Sequence, residues 1–109
     1  MGAMLPFFSR RAEMVYRITR RNSPRDISGY WASIYGDTSM SGGTTEAYQL
    51  GYTFFGPDRL MYGSDYPFGP DEGEFQLRGN LVGIKSIKAP AADMEKILGG
   101  NARALLKIR

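Results

Sequence analysis

The sequence predicts an α/β fold with parallel strands that is too small to be complete by itself. Stretches with apolar residues at helical spacing alternate with short aromatic or β-branched runs, in the order helix, strand, helix, strand, helices. The two strand-like runs are joined by a helix-length crossover, the connection that parallel pairing requires. Two strands are also too few to cover such helices, because parallel sheets are normally buried on both faces within larger assemblies.

The first element runs from Leu5 to about Arg20, where Phe8, Ala12, Val15 and Tyr16 recur at helical spacing between arginines and Pro6 suits the first turn. Asn22, Ser23, Pro24 and Arg25 form a polar break that stops it. Tyr30 to Tyr35 is short, aromatic and β-branched between Gly29 and Gly36, which favours a strand. A Ser/Thr/Gly-rich stretch from Asp37 to Thr45 leads to a second helix capped by Thr44 or Thr45. On that helix Ala47, Leu50, Gly51, Phe54 and Phe55 share a face. Gly56-Pro57 ends the helix, and Leu60 to Tyr62 reads as the second strand. Beyond a turn and an acidic loop with Asp71, Glu72 and Glu74, helical patterns cover Gln76 to about Ile84, Ala91 to Leu98, and Ala102 to Ile108, the last with Asn101 as its expected N-cap. The aromatics Phe7, Phe8, Tyr30, Trp31, Phe54 and Phe55 fall at core-facing positions, either of this chain or of a larger fold.

At 109 residues and 42% hydrophobic content the chain reads as one globular unit over residues 1–109, with no separate linker or second domain. The absence of cysteine excludes disulfides, thiolate metal sites and cysteine nucleophiles. The absence of histidine removes the commonest metal ligand and general base, so a complete metal site within the chain would have to be all oxygen. No run of ~18 or more apolar residues is present and no secretory pattern opens the chain, so the expectation is a soluble, cytoplasmic protein that does not engage a membrane. Residues 1–25 carry six arginines against Glu13 alone, which makes that segment +5 in a chain of net charge +3. Clustered arginine supplies a phosphate-binding term, but no zinc knuckle or RNA-binding aromatic motif accompanies it. The reading is a solvated helix face and no nucleic-acid partner.

Three segments carry a family resemblance. Residues Phe55 to Gly69, Phe-Gly-Pro-Asp-Arg-Leu-Met-Tyr-Gly-Ser-Asp-Tyr-Pro-Phe-Gly, follow the pattern "FGxDRLLFGSDYPFG". Residues Lys96 to Leu106 are similar to "KILGGNARRLL", and Gly2 to Phe8 look like the loop written "HxGxMxPF". The chain thus resembles the amidohydrolase-related family that includes aminocarboxymuconate-semialdehyde decarboxylase and related aromatic-acid decarboxylases and hydrolases.

The resemblance implies the C-terminal sector of a (β/α)8 TIM barrel: helix six, strand seven, helix seven, strand eight and helix eight, incomplete as an isolated chain. Barrel enzymes assemble their sites from loops at the C-terminal ends of several strands. In the family a zinc-like divalent metal is held by histidines from early strands and an aspartate at the end of strand eight. Asp65 stands at that aspartate's place and is the candidate metal ligand and catalytic residue. The family's histidine before "GxMxPF" would precede Met1. Asp37-Thr38, at the expected end of strand seven, is read first as a turn or cap and second as part of the site mouth.

Two functions follow as expectations. The first is a portion of a metal-dependent enzyme that hydrolyses or non-oxidatively decarboxylates a small carboxylated substrate, inactive and without bound metal as an isolated chain. The second is a non-catalytic structural or assembly module derived from such a barrel. Either way, apolar surface that a whole barrel buries calls for self-association or a complementary barrel chain.

Overall fold

The computed structural model describes every residue except 3, 21, 23, 41, 42 and 109. The parts of the expected N-terminal loop, arginine cluster, polar break and Ser/Thr/Gly stretch that fall on those positions lie outside the described residues. Helix α1 spans Leu5–Thr19, as its spacing predicts, with Pro6 in the first turn. Helix α2 spans Ile27–Trp31 and strand β1 follows at Gly36–Asp37. Helix α3 is Thr45–Phe55 and strand β2 is Leu60–Met61. A 3-10 turn at Asp71–Gly73 leads into α4, Glu74–Lys85. Helix α5, Ala91–Glu95, passes through a π-type turn at Lys96–Gly100 into α6, Asn101–Leu106.

The expected strand at Tyr30–Tyr35 is corrected: its first residues are helical, and the strand begins one residue after Tyr35. The reason is local. Asp26 occupies the N-cap, its carboxylate accepting from the Ile27 amide at 2.9 Å and from the Ser28 hydroxyl at 3.2 Å. Ile27, Tyr30 and Trp31 then fall at i, i+3 and i+4 and turn inward. Ile27 is buried, Tyr30 meets Tyr16 edge-on at 6.1 Å, and Trp31 meets Phe54 at the same distance.

The two strands are parallel, with Gly36 opposite Leu60 and Asp37 opposite Met61, and α3 is the crossover between them. At the end of β2, Ile97 O accepts from the Tyr62 amide at 2.8 Å. Asn101, expected as an N-cap, lies within helical backbone instead. Its side-chain amide donates to Pro57 O at 2.6 Å and Leu60 O at 2.8 Å, which ties the last helix to the start of β2.

The core sits between α3, β2, α4 and the π-type turn, where Tyr48, Phe55, Leu60, Ile84 and Ile97 are almost wholly buried. Each such aromatic or aliphatic side chain contributes about 2 kcal/mol. Tyr48 lies flat against Gly83, at which a Cβ would run into the ring. Leu50, expected on the inner face of α3, is 41% exposed, and Tyr48 takes the buried place. The helix turns Tyr48, Gly51 and Phe55 inward, so Gly51 and Phe55 keep the predicted face and its centre shifts towards Tyr48.

Elsewhere the molecule is open. On α1 only Pro6 is buried, while Met4, Phe7, Met14 and Ile18, at spacings of three, seven and four residues, form an exposed stripe with Phe8 and Val15 beside it. Phe7 and Phe8, expected to face a core, are therefore on the surface of this chain. The radius of gyration is 15.3 Å, whereas a compact domain of this length measures about 13 Å. No helix among the described residues is long and apolar enough to cross a membrane.

Candidate active-site sector

Strand β2 delivers the chain to a loop, residues 62–73, at its C-terminal end, and four anchors fix that loop. The Tyr62 hydroxyl donates to Leu77 O on α4 at 2.8 Å. The Thr38 hydroxyl, fully buried just past β1, donates to Gly63 O and accepts from Gly63 N, both at 3.0 Å. It thereby continues the parallel ladder through a side chain. Gly63 fits closely there, since a Cβ would lie 3.1 Å from both Asp37 Cβ and Ser39 Oγ. At the far end Gly73, with φ +92°, packs directly under the Pro67 backbone, where a Cβ would approach to 2.7 Å.

The fourth anchor is Asn80 on α4, which is wholly buried. Its Oδ1 accepts from the Met40 amide at 3.1 Å and from the Tyr48 hydroxyl at 2.6 Å, and its Nδ2 donates to Ser64 O at 3.2 Å. Burial, with a contribution from Tyr62, pushes the Tyr48 hydroxyl above its ordinary value, so it stays a donor throughout the neutral range. One helical turn earlier Gln76 is also buried, beside Gly69, and its Oε1 has no partner among the described residues.

Asp65 stands at the tip of this framework. Its backbone is left-handed, at φ +64°, and its carbonyl accepts from the Phe68 amide at 3.0 Å. The side chain is exposed, and its carboxylate has no hydrogen-bond or ion-pair partner among the described residues. The following Tyr66–Pro67 peptide bond is cis. Asp37 sits across the loop pair with a different task. Its Oδ1 accepts from the Ser39 amide at 2.9 Å, closing a turn, and lies 3.8 Å from the Met1 ammonium group. The structure thus brings the two predicted segments, Asp37-Thr38 and Gly63-Asp65, side by side at the C-terminal ends of parallel strands. There Thr38 acts as a brace and Asp37 as a turn former.

Asn80, Tyr48 and Tyr62 escaped the sequence reading. The available signal was the stripe Gln76, Asn80, Ile84, polar residues in line with a core isoleucine at i, i+4 and i+8.

A free, exposed carboxylate at a strand end suits a hard or borderline divalent cation as a donor, but structural and catalytic zinc take three or four protein ligands. Among the described residues no group of three or more histidine, cysteine, aspartate or glutamate side chains is able to hold a metal ion. The described residues therefore offer a single free carboxylate here and not a complete metal site.

Residues 11–108 match a protein-family model described as amidohydrolase. The chain belongs to the amidohydrolase family. Among solved structures, this amidohydrolase chain is similar to Metarhizium anisopliae IDCase in its apo form, with a TM-score of 0.75 and 24% sequence identity over 97% of the chain. At that identity the likeness speaks to the fold. The chain spans 32% of the length of that structure. No curated protein sequence matches it. The helices, the small parallel sheet and the strand-end loops described above are accordingly those of an amidohydrolase fold, present here as about a third of the matched length.

Proposed function

We propose that this amidohydrolase chain is the closing sector of a (β/α)8 barrel and contributes Asp65 to a divalent-metal site whose other ligands come from elsewhere. In this reading α1, β1, α3, β2 and α4 with its successors are helix six, strand seven, helix seven, strand eight and helix eight. The observation that carries it is the placement of Asp65, a carboxylate without a partner among the described residues, in the loop at the C-terminal end of a parallel strand, where barrel enzymes put their chemistry. When bound, the metal would act as a Lewis acid and activate water. Asp65 would hold the metal and take or return a proton at its free carboxylate oxygen. The parent reaction is hydrolysis or non-oxidative decarboxylation of a small carboxylated substrate, in the aminocarboxymuconate-semialdehyde decarboxylase-like branch.

The completing partner is a polypeptide that supplies further parallel strands and the histidines this chain lacks. Zinc stoichiometry together with a hydrolase and decarboxylase screen tests this. The purified chain is expected to hold far less than one zinc and to turn over nothing alone. One zinc per chain retained through desalting, or turnover by the chain alone, contradicts the need for a partner.

A second reading, a non-catalytic assembly module, is favoured by the exposed stripe on α1, in which Phe7 is 70% exposed. Under it, defined metal-free oligomers form, and Asp65→Asn leaves every measurable property of the assembly unchanged.

A further inference from the structure

We infer that Asn80 is the positioning residue of Asp65, and that it makes the two strand-end loops move as one unit. This rests on the reading of Asp65 as the functional carboxylate of the sector. A buried asparagine offers two acceptor lone pairs and two donors, and Asn80 uses three of these four. None of the three is spent on its own helix. They reach Met40 in the loop after β1, Tyr48 on α3 and Ser64 in the loop after β2, at sequence separations of 40, 32 and 16 residues.

The bond to Ser64 O has the most direct consequence. That carbonyl belongs to the peptide group linking Ser64 to Asp65, and because the group is planar, fixing its oxygen fixes the Asp65 amide as well. Asp65 leaves this plane at φ +64°, a region sparsely used by residues with a Cβ. The direction of the Asp65 side chain is thus set by a peptide plane that Asn80 holds from beneath. Through its Oδ1 Asn80 accepts from the Met40 amide, three residues past Asp37, so displacement of one loop is resisted by the other. The Tyr48 hydroxyl completes the acceptor's geometry from α3.

The choice of residue follows from this wiring. Leucine would fill a similar volume and leave the Met40 amide and Ser64 carbonyl buried without partners. Aspartate would keep both acceptor bonds and set a carboxylate oxygen against Ser64 O, breaking only the contact that orients Asp65.

Asn80→Asp is therefore the informative variant, read by nuclear magnetic resonance in the 109-residue chain. Tyr52→Phe serves as a control, since it deletes a 2.6 Å bond to Asp93 away from this loop. In Asn80→Asp the Asp65 amide and Cα shifts and its φ-dependent coupling are expected to change. The Ser64 carbonyl carbon shift is expected to move with them, since that carbonyl is the acceptor that loses its donor. In Tyr52→Phe the melting temperature is expected to fall with the Asp65 signals unmoved. An Asn80→Asp chain that melts early but keeps wild-type Asp65 shifts and coupling overturns the inference and leaves Asn80 a core residue only. Should Asn80→Asp not fold, the wild-type chain decides. Slowly exchanging Asn80 side-chain amide protons with a coupling across the hydrogen bond to the Ser64 carbonyl carbon support the inference, and rapid exchange without that coupling overturns it. None of these arms uses a metal. Failure of Asp65 as a ligand would appear instead as manganese broadening indifferent to Asp65→Asn.

Discussion

Thr38 shows how much a single hydroxyl contributes at the mouth of this sector. From a fully buried side chain it bridges both polar backbone groups of the half-buried Gly63, so its removal leaves a donor and an acceptor without that partner. Thr38→Val is expected to cost about 2–3 kcal/mol of unfolding free energy, and Thr38→Ser, which keeps the oxygen, about 1 kcal/mol or less. Urea denaturation of the two variants checks this, and equal losses would show that shape, not the hydroxyl, matters. The place of Asp65 in the loop after β2 was legible at this scale because a long contiguous motif surrounds it. Asn80 was not, because one polar residue on a helix reads as solvent-facing until loops 16 and 40 residues away fold over it.

At the scale of elements, α1, α3, β2 and α4 were legible from apolar spacing and from the Gly56-Pro57 stop, where Gly56 takes φ +72°. Strand β1 was displaced because the aromatic run Tyr30–Tyr35 suits a strand by composition, while Asp26 and the Ile27/Tyr30/Trp31 spacing specify a helical turn. Capping outweighed β-propensity there, which depends more on context. Asp26→Ala is expected to cost about 1 kcal/mol. It should also shift the Cα resonances of residues 27–31 towards coil values. Unchanged shifts would mean that packing of Trp31 on Phe54 holds α2 without its cap. The last helices kept their places but Asn101 changed role, from an expected cap to a side-chain bridge onto Pro57 and Leu60. Tertiary contact of that kind leaves no periodic trace in the sequence.

For the whole molecule, the mismatch between buried and exposed apolar surface is the main physical fact. One core lies between α3, β2, α4 and the π-type turn. The outer stripe of α1 and residues such as Phe75 and Val82 on α4, at 55% and 70% exposed, face solvent on either side of it. With two strands and largely open sheet edges, such a body favours association. The chain is expected to self-associate in sedimentation experiments, and the double substitution Phe7→Lys with Ile18→Lys is expected to shift it towards monomer. A monomeric wild type at high concentration would contradict this use of the surface.

Residue-resolved manganese broadening of amide signals tests most directly the proposal that Asp65 is a metal ligand whose partners lie outside this chain. Weak broadening centred on residues 64–66 and abolished by Asp65→Asn is the predicted result. Broadening centred on Asp37 or on the Asp71, Glu72 and Glu74 cluster, and indifferent to Asp65→Asn, would contradict it.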